Sequence, residues 1–251
     1  MLTNDFEGMI MQEQGDKSAV KKKIVVLSGA GMSAESGINT FRDDDGLWEG
    51  HDVMEVASPE GWQTNAKLVL NFYNQRRRQL LTVSPNLGHL ALVKLEGDYD
   101  VAIVTQNVDD LHERAGSSNV IHLHGELLKA QSTLKPSLVY PCKTDISLGD
   151  HCEQGSQLRP AIVWFGEEVP LLDLAIEEVI SADIIIVVGT SMKVYPAAGL
   201  TSFAQDSTKI IYIDPKPSIN EVLAQAHELQ VIEKTAANGL PNLVESLVVE
   251  Q

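Results

Sequence analysis

The chain has 251 residues, 43% of them hydrophobic and 5% aromatic, with a formal net charge of −16. That length supports one large domain, or a large domain carrying a smaller insert, around a substantial core. The acidic balance argues against a nucleic-acid surface, which needs clustered Lys and Arg, and no apolar run approaches the roughly 20 residues that span a bilayer.

Residues 1–14 carry Asp5, Glu7 and Glu13 and lack the basic-then-apolar order of a signal peptide, and residues 1–20 read as a polar extension. Two cysteines, Cys142 and Cys152, make no secreted disulfide framework. A cytoplasmic location is expected. The first apolar run, 24–27 (IVVL), predicts a strand buried on both faces. It breaks into Gly29-Ala30-Gly31, with Ser33 and a predicted helix beyond. Glycines there let backbone approach a phosphate, and a helix N-terminus presents N–H groups to the anion. A Gly-x-Gly turn also serves simply to reverse a strand, and alone the segment leaves both readings open.

An ordinary dinucleotide fold would end a second strand in Asp or Glu about 20 residues later. Residues 50–62 hold Pro59 and Gly61 and no β-branched run, so the usual dehydrogenase arrangement is not expected. A long insert, 36–98, containing a predicted helix over 65–81, intervenes instead. Three further apolar runs follow: 101–104 into Thr105-Gln106-Asn107, 184–188 into Gly189-Thr190-Ser191, and 210–213 into Asp214-Pro215. Helices are predicted over 171–180 and 220–229, and a second insert, 126–160, is rich in Ser, Gly, Lys and Asp. Apolar strands alternating with helices predict an α/β fold, a Rossmann-like open parallel sheet with a small insert domain. Its ligand would sit beyond the carboxyl ends of the strands, where the polar strand ends converge.

The segments GAGMSAESGINTFR (29–42), TQNVDDLHERAG (105–116), HLHGE (122–126), RPAIVWFGE (159–167) and GTSMKVYPAA (189–198) resemble the signature segments of the sirtuin family, in sirtuin order. The resemblance spans about 22–245. It implies a catalytic domain over 21–251: a large part at about 21–35, 82–125 and 161–251, a helical insert at 36–81, and a small loop-rich insert at 126–160. It also implies NAD-dependent removal of acyl groups from lysines of client proteins, and the charge and hydropathy above predict no nucleic-acid or membrane partner.

By that resemblance Gly29, Ala30, Gly31 and Ser33 lie along the NAD diphosphate, and Phe41 and Arg42 belong to a flexible cofactor loop. A guanidinium suits phosphate because its planar fork gives two parallel hydrogen bonds. Gln106, Asn107 and Asp109 correspond to residues around nicotinamide and its ribose, and Gly189, Thr190 and Ser191 to the loop at the adenosine side. His122 and His124 alternate in a strand-like segment, and spacing does not choose between them. The family's His-Gly pair matches His124-Gly125, which makes His124 the general base on a ribose hydroxyl, a task suited to a group titrating near neutrality. The acyl oxygen attacks the ribose C1′, and the implied products are deacylated lysine, nicotinamide and O-acyl-ADP-ribose. Val163, Trp164, Phe165 and Gly166 match the stretch that pairs with the acyl-lysine peptide as an added strand, and Val194 matches the opposite side of that cleft.

Tyr73 and Arg76, three positions apart on a predicted helix, share a face. They resemble the Tyr-x-x-Arg pair of the sirtuins that remove succinyl and malonyl groups, with Ala57 as the small residue that leaves room. The alternative is a solvated basic face of Arg76, Arg77 and Arg78 and a simple deacetylase; a non-catalytic NAD or ADP-ribose sensor is a reading of another class. Two features depart from the family pattern. The paired Cys-x-x-Cys motifs that hold structural zinc are missing, since Ala130-Gln131-Ser132-Thr133 stands near the first pair. Cys142, His151 and Cys152 remain without paired spacing, so zinc is expected to be absent. Asp214 stands where the family usually has Asn near the adenosine ribose, and it can still accept from ribose hydroxyls.

Overall fold

The computed structural model describes residues 21–39 and 47–249. Phe41, Arg42 and the extension 1–20 lie outside the described residues. Strand β1 (Lys23–Ser28) runs into two 3-10 turns, Ala30–Met32 and Ala34–Ser36. A hairpin of β2 (Leu47–Trp48) and β3 (His51–Asp52) precedes α1 (Val53–Val56) and α2 (Pro59–Leu80). Next come α3 (Leu87–Leu95), β4 (Asp100–Thr105), α4 (Leu111–Ala115) and β5 (Val120–His122). Strands β6 (Gly125–Ser132), β7 (Val139–Pro141) and β8 (Leu158–Ile162) form a small antiparallel sheet in the order β7-β6-β8. The chain then completes the large part with α5 (Leu172–Ile180), β9 (Ile184–Val188), β10 (Lys209–Ile213), α6 (Glu221–Ala224), β11 (Glu228–Ile232) and α7 (Ala236–Val249).

The main sheet is parallel throughout, in the order β11-β10-β9-β1-β4-β5. Strand β1 is central because its residues alternate between two cores. Ile24 and Val26 pack with Leu92, Leu95, Leu240 and Leu243 of α3 and α7. Val25 and Leu27 pack with Ala175 and Val179 of α5 on the other face. The chain moves outward from β1 to β4 and β5, then returns to build β9, β10 and β11 on the opposite side. That reversal opens a crevice at the carboxyl ends of β1 and β9, as expected for a sheet of this topology.

Three expectations and one alternative reading need correcting. The helix expected after Ser33 is a single 3-10 turn, Ala34–Ser36, stopped by Gly37 in the left-handed region at φ 95°. The helix over 220–229 ends at Ala224, and Leu229 instead joins edge strand β11, paired with Ile210. The 65–81 helix is longer: Ser58 caps it by accepting from Gly61 N at 2.9 Å and Pro59 opens it, while Asn65 is a non-helical kink within it. The three arginines near its end do not share a solvated face. Arg78 pairs with exposed Asp145 at 2.6 Å, Arg77 is fully buried, and Arg76 lies over the Phe72 ring at 3.7 Å.

Arg77 and Asn74 clasp the small insert to α2. Arg77 Nε donates to Leu127 O at 3.0 Å and Nη1 to Asn74 Oδ1 at 2.7 Å. Asn74 in turn donates to Ile146 O and accepts from Ile146 N, each at 2.9 Å. Inside the insert, Ser132 and Ser156 hydroxyls meet at 2.7 Å, and Cys152 Sγ lies 3.0 Å from Ser156 Oγ. Cys142 Sγ donates to Thr144 O at 3.3 Å. These thiols are engaged separately and, among the described residues, do not gather with His151 into a ligand set that fits a tetrahedral zinc. Replacing Asn74 with Ala strands the Ile146 peptide groups and one Arg77 N–H away from water. The variant is expected to lose about 2–4 kcal/mol of stability, read as a lower urea midpoint; an unchanged midpoint would show that the clasp is dispensable.

Candidate functional site

The ends of β1, β4, β9 and β10 open onto a cavity of about 530 Å³, within the range of small-molecule and cofactor sites. Gly29, Ala30, Gly31 and Ser33 line it after β1, and Gln106, Asn107 and Asp109 after β4. Gly189, Thr190, Ser191 and Val194 follow β9, and Asp214 follows β10. His124, Ala57, Tyr73, Val163, Trp164, Phe165 and Gly166 complete the part foreseen from sequence. Two residues discussed beside them do not line it, His122 and Arg76.

The glycine turn is shaped by its neighbour across the crevice. A Cβ on Gly29 would stand 2.6 Å from Thr190 Cβ, and one on Gly31 would stand 2.7 Å from Gly189 Cα. Gly29 N donates to Val188 O at 3.1 Å and Gly31 N to Gly189 O at 2.7 Å. These glycines therefore let two loops interlock, a different reason for their presence from phosphate approach alone.

Below them, Ser33 Oγ donates to Asp109 Oδ2 at 2.8 Å and accepts from Asn107 Nδ2 at 3.1 Å. Asp109 Oδ1 accepts from Leu111 N at 3.1 Å. Burial pushes the Asp109 carboxyl up, against the lowering effect of the Ser33 and Leu111 hydrogen bonds. These contacts leave Asn107 one amide N–H and its carbonyl for a ligand.

The structure separates the two histidines. The Gln106 carbonyl, 3.1 Å from His124 Nδ1, can only accept, so the proton sits on Nδ1 and Nε2 keeps its lone pair. Burial pushes His124 below its ordinary value, which favours a neutral ring able to act as a base. His122 is placed between acceptors, with Nδ1 3.1 Å from Asn107 O and Nε2 2.7 Å from Glu113 Oε1. Burial works to lower it, but the Glu113 bond and charge and the Asn107 carbonyl raise it overall, so it favours the imidazolium. Gln106 and Asn107 thus hold one ring each through main-chain carbonyls.

Tyr73 is fully buried, and its oxygen accepts from Trp164 Nε1 at 3.1 Å, which leaves its own O–H proton free. Burial pushes its ionisation far up, so it stays a donor. Arg159 stacks on Trp164 at 3.9 Å and pairs with Glu167 at 2.7 Å, and Glu167 accepts from Trp164 N at 2.8 Å. Val163 N donates to His124 O at 2.9 Å and Phe165 N to Ala57 O at 2.9 Å. The segment expected to be extended leaves strand geometry after Ile162 and turns at Phe165-Gly166. Arg76, expected beside Tyr73 in the pocket, is turned aside: Nη1 donates to Phe72 O at 2.8 Å, and Nη2 lies 3.7 Å from Glu49 Oε2.

Lining residues not foreseen include Trp48, Glu35, Thr235 and Ala236. The Glu35 carboxylate accepts from Ala237 N at 2.9 Å, capping α7 and bringing its first turn to the cavity. A Thr followed by small residues before an apolar-periodic stretch was the available signal for that turn. Nothing in the sequence around Trp48 marked it.

A buried polar chain underlies the loops. Asn86 N donates to His89 Nδ1 at 3.2 Å, so His89 carries its proton on Nε2. Ser28 donates to Thr105 Oγ1 at 2.9 Å, so it accepts from His112 Nε2 at 3.0 Å and His112 Nδ1 is left bare. The two rings meet edge to face at 4.9 Å, and the His89 Nε2 donor and the His112 Nδ1 acceptor each lack a hydrogen-bond partner among the described residues. Thr105 Oγ1 also accepts from Asn107 N at 3.0 Å, which ties the chain to the site.

An open, doubly wound parallel sheet with its cavity at the switch point defines a nucleotide-binding α/β protein of Rossmann-like type. The Sir2 family model matches residues 29–196, and the chain belongs to that family. It is 57% identical over 227 residues to the NAD-dependent protein deacylase of Helicobacter pylori strain ATCC 700392 / 26695, covering 90% of this chain and 98% of that one. It is 48% identical over 233 residues to the NAD-dependent protein deacylase of Bacteroides thetaiotaomicron, at 90% and 98% coverage. A Sir2 homologue solved as an NAD complex superposes with a TM-score of 0.82 at 39% identity, covering 92% of this chain and 91% of that one. Sir2 bound to acetylated peptide superposes at 0.75 and 29% identity, with 91% and 94% coverage.

Burial pushes His89 down to about 4 and His112 well below its ordinary value, the latter also through the neighbouring histidines. The unfolded chain therefore takes up protons near pH 6.5 that the folded protein refuses until lower pH. Each ring stabilises the fold above that pH, and this contribution is lost as pH falls from 6.5 toward 4, at roughly 1.4 kcal/mol per pH unit. His122, raised in the fold, works in the opposite direction. The stability gap between wild type and His89→Gln, measured by urea unfolding, should narrow steadily across that window; a constant gap would contradict the assignment.

Proposed function

We propose that this chain is an NAD-dependent protein-lysine deacylase that favours acyl groups ending in a carboxylate, succinyl or malonyl. The observation that carries the reaction is His124, a base with its lone pair at Nε2 on the wall of a cavity at the sheet's switch point. The names of the relatives and the NAD and acetylated-peptide complexes of the structural neighbours support NAD-dependent deacylation. Bound NAD would supply the ribose carbon that accepts the acyl oxygen as nicotinamide departs.

In this reading, Asn107 and Asp109, braced by Ser33, hold the nicotinamide end. Gly29, Ala30 and Gly31 follow the diphosphate, while Gly189, Thr190, Ser191 and Asp214 serve the adenosine side. His124 Nε2 takes a proton from a ribose hydroxyl. Val163 to Gly166 and Val194 flank the acyl-lysine peptide. Tyr73 offers its free O–H to the acyl carboxylate beside the small Ala57 side chain. Support for Arg76 comes from its buried Nε, which has no partner among the described residues. A carboxylate reaching it would satisfy that donor with a charge-assisted bond.

Matched acetyl-, malonyl- and succinyl-lysine peptides test the assignment. Faster NAD-dependent turnover of the acidic acyl groups is expected, and Arg76→Met should cost about 2–4 kcal/mol of transition-state binding on succinyl with less effect on acetyl. Acetyl preference, or equal losses on both, would make the enzyme a simple deacetylase with a structural Arg76. His124→Ala should abolish nicotinamide release, and wild-type activity should fall on the acid side with an apparent pKa below 6.5, as the lowered His124 requires. NAD binding without turnover in the wild type would indicate a sensor.

A further inference from the structure

Resting on the acidic-acyl reading, we propose that Glu49 is a tethered competitor for the acyl carboxylate, occupying Arg76 until an acidic acyl chain displaces it. Glu49 and Gly50 form the two-residue turn of the β2–β3 hairpin, both in the left-handed region at φ 53° and 79°. Gly adopts that conformation freely, whereas a Glu there is uncommon and carries strain. The hairpin has two residue pairs, Leu47 with Asp52 and Trp48 with His51, too few to stand alone. It is docked on the helix face that carries the acyl-recognition pair. Trp48 meets Phe72 edge-on at 4.9 Å and Tyr73 at 6.0 Å, and His51 meets Phe72 at 5.5 Å.

This docking delivers the Glu49 carboxylate to Arg76 without a good bond between them. Oε2 stops 3.7 Å from Nη2, the two side chains are 23% and 14% exposed, and Arg76 Nε stays unpartnered among the described residues. Burial pushes the Arg76 guanidinium down, and Glu49 and Tyr73 counter it. Glu49 therefore neutralises the guanidinium while Nη1 is held by Phe72 O, and it leaves Nε without a hydrogen bond and Nη2 without a close one. A carboxylate on a free acyl chain can approach Nε and Nη2 along their fork and make the two parallel bonds that the hairpin geometry denies Glu49. Discrimination follows: an acetyl group has nothing to exchange for Glu49, so only acidic acyl groups feel the competition.

The sign of one substitution decides between a competitor and a holder. Glu49→Gln keeps the side chain's shape at an exposed turn and removes its charge. At saturating NAD, KM for a succinyl-lysine peptide is expected to fall roughly two- to fivefold, the scale of a partly exposed ion pair, with kcat and all acetyl-lysine parameters unchanged. An unchanged or higher succinyl KM, or an equal change on acetyl, overturns the role of Glu49. Wild type and Arg76→Met in the same series keep the failures apart. A wild type that prefers acetyl defeats the acidic-acyl reading itself, whereas a wild type that prefers succinyl beside an unresponsive Glu49→Gln defeats the competitor alone.

Discussion

The site depends on one close approach of backbone to backbone, where the turn after β1 meets the loop after β9. Gly29 and Gly31 hydrogen-bond to Val188 O and Gly189 O, and a methyl group on either glycine would overlap the facing loop. Protein interiors do not yield to a shift of that size without repacking. Strands β1 and β9 are adjacent in the sheet but separated by most of the chain, so the interlock fixes the crevice where the strand order reverses. Ser33 follows from the same turn, and through it Asn107 and Asp109 are set in place.

Helix α2 is the second organiser, because its faces serve different parts of the molecule. Phe72, Tyr73 and Arg76 form a wall with Trp48 and Trp164, while Asn74 and Arg77 reach the insert through Leu127 and Ile146. Hydrogen bonds from a buried guanidinium, and a cluster of hydroxyls and a thiol within it, hold the insert together and to the helix. A buried charge is costly, and Arg77 offsets it with bonds to peptide and amide oxygens and with the nearby charge of Asp145.

The continuous apolar runs at 24–27, 101–104, 184–188 and 210–213 were legible because a strand buried on both faces has no other simple reading. The edge strands were not. Strand β5 has three residues, too few to show a period, and β11 faces solvent along much of its length, so its Leu229 fits a helical spacing equally well until β10 pairs with it. Most cavity residues were legible through the motif segments, and His124 was distinguishable from His122 there by the following glycine. That Arg76 does not line the cavity was not legible, because a shared helix face fixes where a side chain starts; stacking on Phe72 decides where the guanidinium ends. The insert's clasp was unreadable since Asn74 and Ile146 are distant in sequence and neither residue type announces the bond.

The ring of His124 is oriented by the main-chain oxygen of Gln106, and that of His122 by the main-chain oxygen of Asn107. A carbonyl belongs to every residue alike, so the identity of the side chain at either position leaves these two bonds intact. Variation at 106 and 107 can therefore retune contacts inside the cavity while the tautomer of the base stays the same. Ligand preference and proton transfer become separately evolvable properties of a single two-residue stretch.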